Sequence, residues 1–177
     1  MPEVHGNLEG IRKSTLDELA ALYDVQLDSD VFMPQDLLQS LCGYSAFLNR
    51  EVALYITRDG EIADVFVGKA ASIDLPDVRL RRSERRLSMI RCIHTHPSGT
   101  GMLSDVDISA LTSMRFDAMC AVGVAADGHM TSAQCAFLDP SAADGVNRTE
   151  LVNARRLPQQ EWMTLIDEAD KAYYSDV

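Results

Sequence analysis

The chain has 177 residues, a net charge of −11, an apolar fraction of 46% and a charged fraction of 24%. These values are typical of a single globular domain, here residues 1–177, with a core of its own. The acidic balance argues against nucleic-acid binding, sequence-specific or general. No apolar run approaches the roughly 18 residues that cross a bilayer, and no signal-peptide pattern is present. We therefore expect no membrane association and a cytoplasmic location.

The first part of the chain is predicted to form an irregular arm and two helices. Glycines interrupt residues 1–13, which predicts the arm. Ser14 is expected to cap a short first helix through its hydroxyl group. Pro34 suits the first turn of a second helix, which runs to about Leu48. That helix would deliver Glu51 to the end of a sheet.

The middle of the chain is predicted to be mostly strands. Residues 52–57 and 61–67 are apolar runs separated by Arg58, Asp59 and Gly60. Asp-Gly between two such runs is a strong hairpin signal. Residues 71–75 are a candidate third strand, and residues 88–95 form an apolar strand that ends in histidines.

The second half is predicted to hold a helix from Ser104 to about Phe116, strands at 118–124 and 130–138, a loop at 139–147 and a helix at about 158–173. Helices placed around a mixed β-sheet indicate an α+β or α/β protein with three layers. We therefore expect one domain with an α/β (α+β) fold.

The cysteines are Cys42, Cys92, Cys120 and Cys135, and no two of them form a C-x-x-C pair. Neither a zinc ribbon nor a redox motif is therefore indicated. Those in apolar stretches are expected to be small buried hydrophobic residues. Cys92 lies two residues before His94, but we do not expect it to touch a metal.

Arginines cluster immediately before the histidine strand: Arg79, Arg81, Arg82, Arg85, Arg86 and Arg91. A solvated basic loop that balances the acidic bulk explains them. The alternative is a contact surface for an acidic partner, such as RNA or an acidic protein tail. We favour the solvated loop, because no aromatic residues interleave with the arginines to stack bases.

Two histidines, His94 and His96, lie two residues apart at the end of the apolar strand, and Pro97 ends it. Residues i and i+2 of a strand point to the same face. Asp107 lies one turn inside the helix that Ser104 opens. Two imidazoles and a carboxylate, with a fourth position left open, are typical of catalytic zinc. Taken separately, the histidines could be surface residues, and Ser104 with Asp107 could be a helix-capping box. Taken together, these residues favour a metal site.

This pattern resembles the JAMM signature of the MPN metallopeptidase superfamily. The residues that carry the resemblance are His94, His96, Pro97, Ser104 and Asp107. The resemblance implies a three-layer fold like that of MPN domains and cytidine deaminases, with Zn²⁺ held by His94, His96 and Asp107. It also implies that Ser104 assists an oxyanion and that Glu51 acts on water at the zinc. The expected reaction is cleavage of a peptide or isopeptide bond in a peptide or protein substrate.

A longer resemblance covers much of the chain and involves the N-terminal domain of HflX-type GTPases. The matching segments are residues 6–14, 48–50, 67–70, 73–77 and 93–96. No G-x-x-x-x-G-K-[ST] loop is present, so GTP hydrolysis is not expected. This resemblance implies an alternative function, a catalytically silent module that associates with the ribosome or with a GTPase through the arginine loop.

A third alternative is a structural zinc site that only ties the strand to the helix. Structural zinc sites are normally closed by four protein ligands. A fourth ligand from Cys92, His129 or His5 would favour this alternative. Without that role, His5 and His129 are expected to be surface residues.

Overall fold

A computed structural model of the protein describes residues 3–29, 31–76, 88–139, 143, 145–151, 164 and 168. Its strands are β1 (His5–Gly6), β2 (Val52–Thr57), β3 (Ile62–Val67), β4 (Ile90–His96), β5 (Ala118–Val124), β6 (Met130–Leu138) and β7 (Val146–Glu150). Its helices are α1 (Lys13–Ala20), α2 (Gln35–Leu48) and α3 (Asp105–Met114), with a 3-10 turn at Ala21–Asp24.

The strands form one 7-stranded mixed sheet in the order β1-β3-β2-β4-β5-β6-β7. The pairs β1–β3 and β4–β5 are parallel, whereas the other neighbours are antiparallel. Helix α2 packs against β2, β4 and β5, and α3 packs against β5 and β6. The predicted α+β class, a mixed sheet flanked by helices, is therefore confirmed.

The core lies along the central strands, which are apolar on both faces. Every residue of β5 is buried, and β2 is buried up to its last residue. Tyr55 of β2 packs edge-on against Phe66 and Phe116, with ring centroids 4.8 and 5.1 Å away. Strands covered on both sides need continuous apolar sequence, and this explains why β2 and β5 do not alternate with polar residues.

The junction between α2 and β2 positions Glu51. The predicted second helix is confirmed, with Pro34 as its N-cap residue and Leu48 as its last residue. Asn49 ends the helix in the left-handed conformation at φ 49°, which asparagine tolerates better than most residues. The Ser45 hydroxyl then donates to the Arg50 carbonyl at 2.8 Å. The chain therefore reverses within two residues and enters β2 directly after Glu51.

Three predictions about local structure are wrong. Helix α1 begins at Lys13 after Arg12, without a side-chain cap, so Ser14 lies inside the helix instead of capping it. Residues 71–75 contain no strand. The predicted loop at 139–147 gives way to β7 at Val146, because a polar edge strand lacks the apolar pattern that predicts a strand.

Arg91 does not belong to the solvated basic loop. It lies in β4 with 1% of its surface exposed. Its guanidinium group donates to the carbonyls of Phe32 at 2.9 Å and Thr57 at 3.0 Å. Burial lowers the pKa of Arg91 to about 10, against the opposing effect of Asp117. Arg91 is therefore a structural residue that ties the segment before α2 to the sheet.

The other arginines of the cluster, at 79–86, lie outside the described residues, as does nearly all of the predicted helix at about 158–173. Association with the ribosome or with a GTPase depends on those arginines and therefore stays a prediction.

Cys120 and Cys135 face each other across β5 and β6 and form a disulfide. The prediction that cysteines in apolar stretches are buried is confirmed for this pair, but the disulfide was not predicted, because cross-strand pairing cannot be read from sequence spacing. Cys42 and Cys92 are free and buried. Reducing compartments disfavour disulfides, so the cytoplasmic location stays a prediction. No helix among the described residues has the length and apolar character needed to cross a membrane.

Candidate metal centre

The two predicted histidine ligands meet at the end of β4. Their Nε2 atoms lie 3.0 Å apart, because both side chains leave the same face of the strand. Strand β4 runs between β2 and β5, and His94 pairs with Ala53 on one side and Ala121 on the other. His94 is consequently fully buried, whereas His96, at the last position of the strand, is partly exposed.

Asp107 completes the cluster from the first turn of α3. Its Oδ2 atom accepts both the Ser104 N–H and the Ser104 hydroxyl at 2.7 Å, while the Asp107 N–H donates to the Ser104 hydroxyl at 3.2 Å. These contacts form a complete capping box. They leave Oδ1 free to face His94 Nε2 at 3.1 Å. The capping explanation and the ligand explanation are therefore compatible, because each uses a different carboxylate oxygen.

The charges of the cluster favour an ionised Asp107. Burial alone raises the pKa of this carboxyl group, but hydrogen bonds and charge from His94, together with hydrogen bonds from Ser104, outweigh that effect. The pKa of Asp107 is consequently held well below its ordinary value. A carboxylate that stays charged and has one oxygen outside the capping box, facing His94, is a suitable ligand for a divalent cation.

The hydrogen bonds of each imidazole decide which of its nitrogens can present a lone pair to a cation. His96 Nδ1 lies 2.9 Å from the Thr100 carbonyl oxygen, which can only accept, so Nδ1 carries the proton and Nε2 presents its lone pair. His94 Nδ1 is buried and has no hydrogen-bond partner among the described residues. His94 therefore lacks an outer hydrogen bond like the one that orients His96.

Two of the three separations between ligand atoms suit a small divalent metal. One ligand atom from each of His94, His96 and Asp107 lies within 4.8 Å of the others. Tetrahedral zinc with bonds of about 2.0–2.1 Å places its ligand atoms roughly 3.3 Å apart. The two short separations, 3.0 Å between the histidines and 3.1 Å from His94 to Asp107, are close to that value. The donor set of two nitrogens and one oxygen also matches a catalytic zinc site.

Glu51 lies beside this cluster at the start of β2. Glu51 directly precedes β2 and lies two residues before Ala53, which pairs with His94 in β4. The Val52 N–H donates to the Thr95 hydroxyl at 2.9 Å, which holds the two strand ends together. Burial raises the pKa of Glu51 to about 7, with His94 lowering it and Asp107 raising it. A carboxyl group with such a pKa can accept and return a proton near neutral pH.

The residues suggested as a fourth ligand do not join the cluster. His5 lies 3.6 Å from Asp64, and His129 lies 3.2 Å from Asp127; both histidines are exposed. The prediction that His5 and His129 are surface residues is therefore confirmed. In the described part of the chain, Cys92 is not a member of the candidate metal group either. The closed structural site therefore lacks its fourth protein ligand there.

Two glycines, Gly101 and Gly123, bring the loop between β4 and α3 against the sheet, a contact that no sequence motif predicts. A Cβ atom on Gly123 would lie 2.6 Å from the Gly101 nitrogen and 2.7 Å from the Thr100 carbonyl carbon. Thr100 is the residue whose carbonyl orients His96. A glycine inside a strand is the sequence signal for such a close backbone approach, although it does not identify the partner.

Gly123→Ala is therefore expected to destabilise the protein by about 1–3 kcal/mol, because the added methyl group meets backbone that must move. Gly43→Ala is the matched control: no atom lies within 4 Å of its added Cβ, and the change should stabilise α2 by about 1 kcal/mol. Urea unfolding of both variants measures the difference. Equal stability of the two variants would contradict the close approach.

The fold and this site define a class, an α+β protein with a candidate three-donor metal centre beside a buried carboxyl group. No family model, curated protein or solved structure matches the chain. The particular activity is therefore argued from the site alone.

Proposed function

We propose that the protein is a zinc-dependent metallohydrolase of the JAMM type, which cleaves a peptide or isopeptide bond. The observation that carries the proposal is the convergence of His94 Nε2, His96 Nε2 and Asp107 Oδ1, with the buried Glu51 carboxyl group near enough for the charges of His94 and Asp107 to act on its pKa. The mixed sheet flanked by helices is compatible with an MPN-like arrangement of layers, which forms part of the proposal.

Each residue has a defined task in this mechanism. His94, His96 and Asp107 would hold the zinc ion, which when bound would act as a Lewis acid and make water more acidic. The Glu51 carboxylate would accept a proton from the attacking water and return it to the leaving amine. Burial raises the pKa of Glu51 to about 7 in the metal-free protein, and a bound cation would lower it and so favour the carboxylate that accepts the proton.

Two roles compete for the hydroxyl group of Ser104. We propose that its hydroxyl steadies the oxyanion of the tetrahedral intermediate. The same hydroxyl donates to Asp107 Oδ2 at 2.7 Å, so it has to change its partner during the reaction. Asp107 Oδ2 would still receive the Ser104 N–H. The capping box can therefore keep Asp107 oriented while the hydroxyl turns to the substrate.

The first test is the metal content of the purified protein. We expect the wild-type protein to bind one equivalent of zinc and His96→Ala to bind none under the same conditions, because one of three ligands is lost. His129→Ala is the matched control, since His129 is exposed and pairs with Asp127 away from the cluster. Circular dichroism checks that each variant is folded. No zinc in the wild-type protein, or equal zinc in wild type and His96→Ala, would refute the proposal.

A further inference from the structure

The loop between β4 and α3, residues 97–104, carries the groups that orient two of the ligands. Its Thr100 carbonyl accepts from His96, and its last residue, Ser104, forms the capping box with Asp107. A loop of this kind needs external support to hold both groups at once, because a metal site tolerates displacements of only about 0.5 Å.

Strand β6 supplies that support through three side chains. The Thr131 hydroxyl donates to the Gly99 carbonyl at 2.6 Å, the Gly101 N–H donates to the Ser132 hydroxyl at 3.0 Å, and the Leu103 N–H donates to Gln134 Oε1 at 3.0 Å. The contacts fall on alternate residues of the loop, so one edge of the loop faces the strand along its length. The contact by Gln134 is the one nearest to the capping box.

We propose that Gln134 is a positioning residue of the metal centre, acting through the Leu103 N–H to set the place of Ser104 and, through the capping box, of Asp107. This inference rests on the proposed zinc site but concerns a residue outside the metal-binding motif. Gln134 touches none of the three ligand side chains through a described hydrogen bond, and its effect passes through the backbone of the loop.

The register of the sheet explains why the amide reaches this point. His94 pairs with Ala121 in β5, and Ala121 pairs with Gln134 in β6. Residues paired directly across neighbouring strands point to the same face. Gln134 and His94 therefore project from one transverse row of the sheet toward the same side. The register of the sheet consequently positions both the candidate ligand His94 and Gln134, the side chain that supports the start of α3.

The hydrogen bond from the Leu103 N–H also determines which atom of the Gln134 side-chain amide is required. The Leu103 N–H is a donor, so it requires the side-chain carbonyl of Gln134 and not its amino group. Glutamate keeps this acceptor in a side chain of the same length, whereas methionine keeps the length and offers only a weak acceptor. A comparison of these two substitutions separates the hydrogen bond from simple space filling.

The test is zinc affinity, measured by competition with a chromogenic chelator. Gln134→Met is expected to weaken zinc binding by roughly 10–100-fold, the range found when groups that orient metal ligands are removed. Gln134→Glu is expected to restore affinity to within about 3-fold of wild type, because the acceptor is kept. Gln26→Met is the matched control: its amide donates to the Asp59 carbonyl at 2.8 Å in the hairpin region, away from the loop, and its zinc affinity should not change.

The outcomes separate this inference from the proposed function. Wild-type affinity in Gln134→Met, or equal losses in Gln134→Met and Gln134→Glu, would overturn the positioning role and leave the zinc site standing. Equal losses in Gln134→Met and Gln26→Met would likewise overturn it, since a general loss of stability would then explain both. A wild-type protein that binds no zinc would overturn the proposed function and this inference together.

Discussion

Glu51→Gln is expected to lower kcat for peptide or isopeptide cleavage by roughly 10²–10⁴-fold, the usual contribution of a general acid–base group. The amide has nearly the shape of the carboxyl group, but it cannot accept the proton from water. Glu51 is not among the three candidate ligands, so we expect the variant to keep its equivalent of zinc. Loss of activity with the metal retained is the signature of a proton-transfer residue.

The assay uses a mixture of peptides and lysine isopeptides, with new termini counted by mass spectrometry and zinc measured on the same samples. Glu61→Gln is the matched control, because Glu61 is exposed beside the β2–β3 turn. It should cleave at the wild-type rate. A Glu51→Gln variant with unchanged kcat, or one that loses zinc along with activity, would rule out the assigned role of Glu51.

Much of the candidate site could be predicted from sequence because its geometry is local. The spacing of His94 and His96 within a strand places both imidazoles on one face. The Ser104-x-x-Asp107 pattern correctly predicts the capped start of α3, whereas the same pattern at Ser14 does not cap α1. The position of Glu51 beside the cluster could not be predicted from the local sequence alone, because it depends on the pairing of β2 with β4.

The parts that could not be predicted depend on contacts between distant segments. The side chains of β6 that hold the loop are ordinary polar residues in sequence, and only the register of the sheet brings Gln134 to Leu103. In the sequence, Arg91 is indistinguishable from the other arginines of the basic run. In the structure it is buried, because β4 pairs with β2 on one side and β5 on the other. The disulfide between Cys120 and Cys135 likewise follows from strand register and not from spacing.

The raised pKa of Glu51 also makes a prediction about stability in the metal-free protein. The pKa is about 7 in the folded protein, against an ordinary value of 4.5. Between these values the folded state holds a proton that the unfolded state has released, so the free energy of unfolding falls as pH rises through this window. Above pH 7 the buried carboxylate costs up to about 3 kcal/mol, because each pKa unit corresponds to about 1.4 kcal/mol.

Glu51→Gln removes this cost, so the chelator-treated variant should be more stable than wild type by up to about 3 kcal/mol at pH 8 and by only about 1 kcal/mol at pH 5. Urea unfolding at the two pH values measures the two differences. Saturating zinc is expected to narrow the gap at pH 8, because a divalent cation beside the carboxylate favours its charged form. A gap of equal size at both pH values would contradict the raised pKa of the Glu51 carboxyl group.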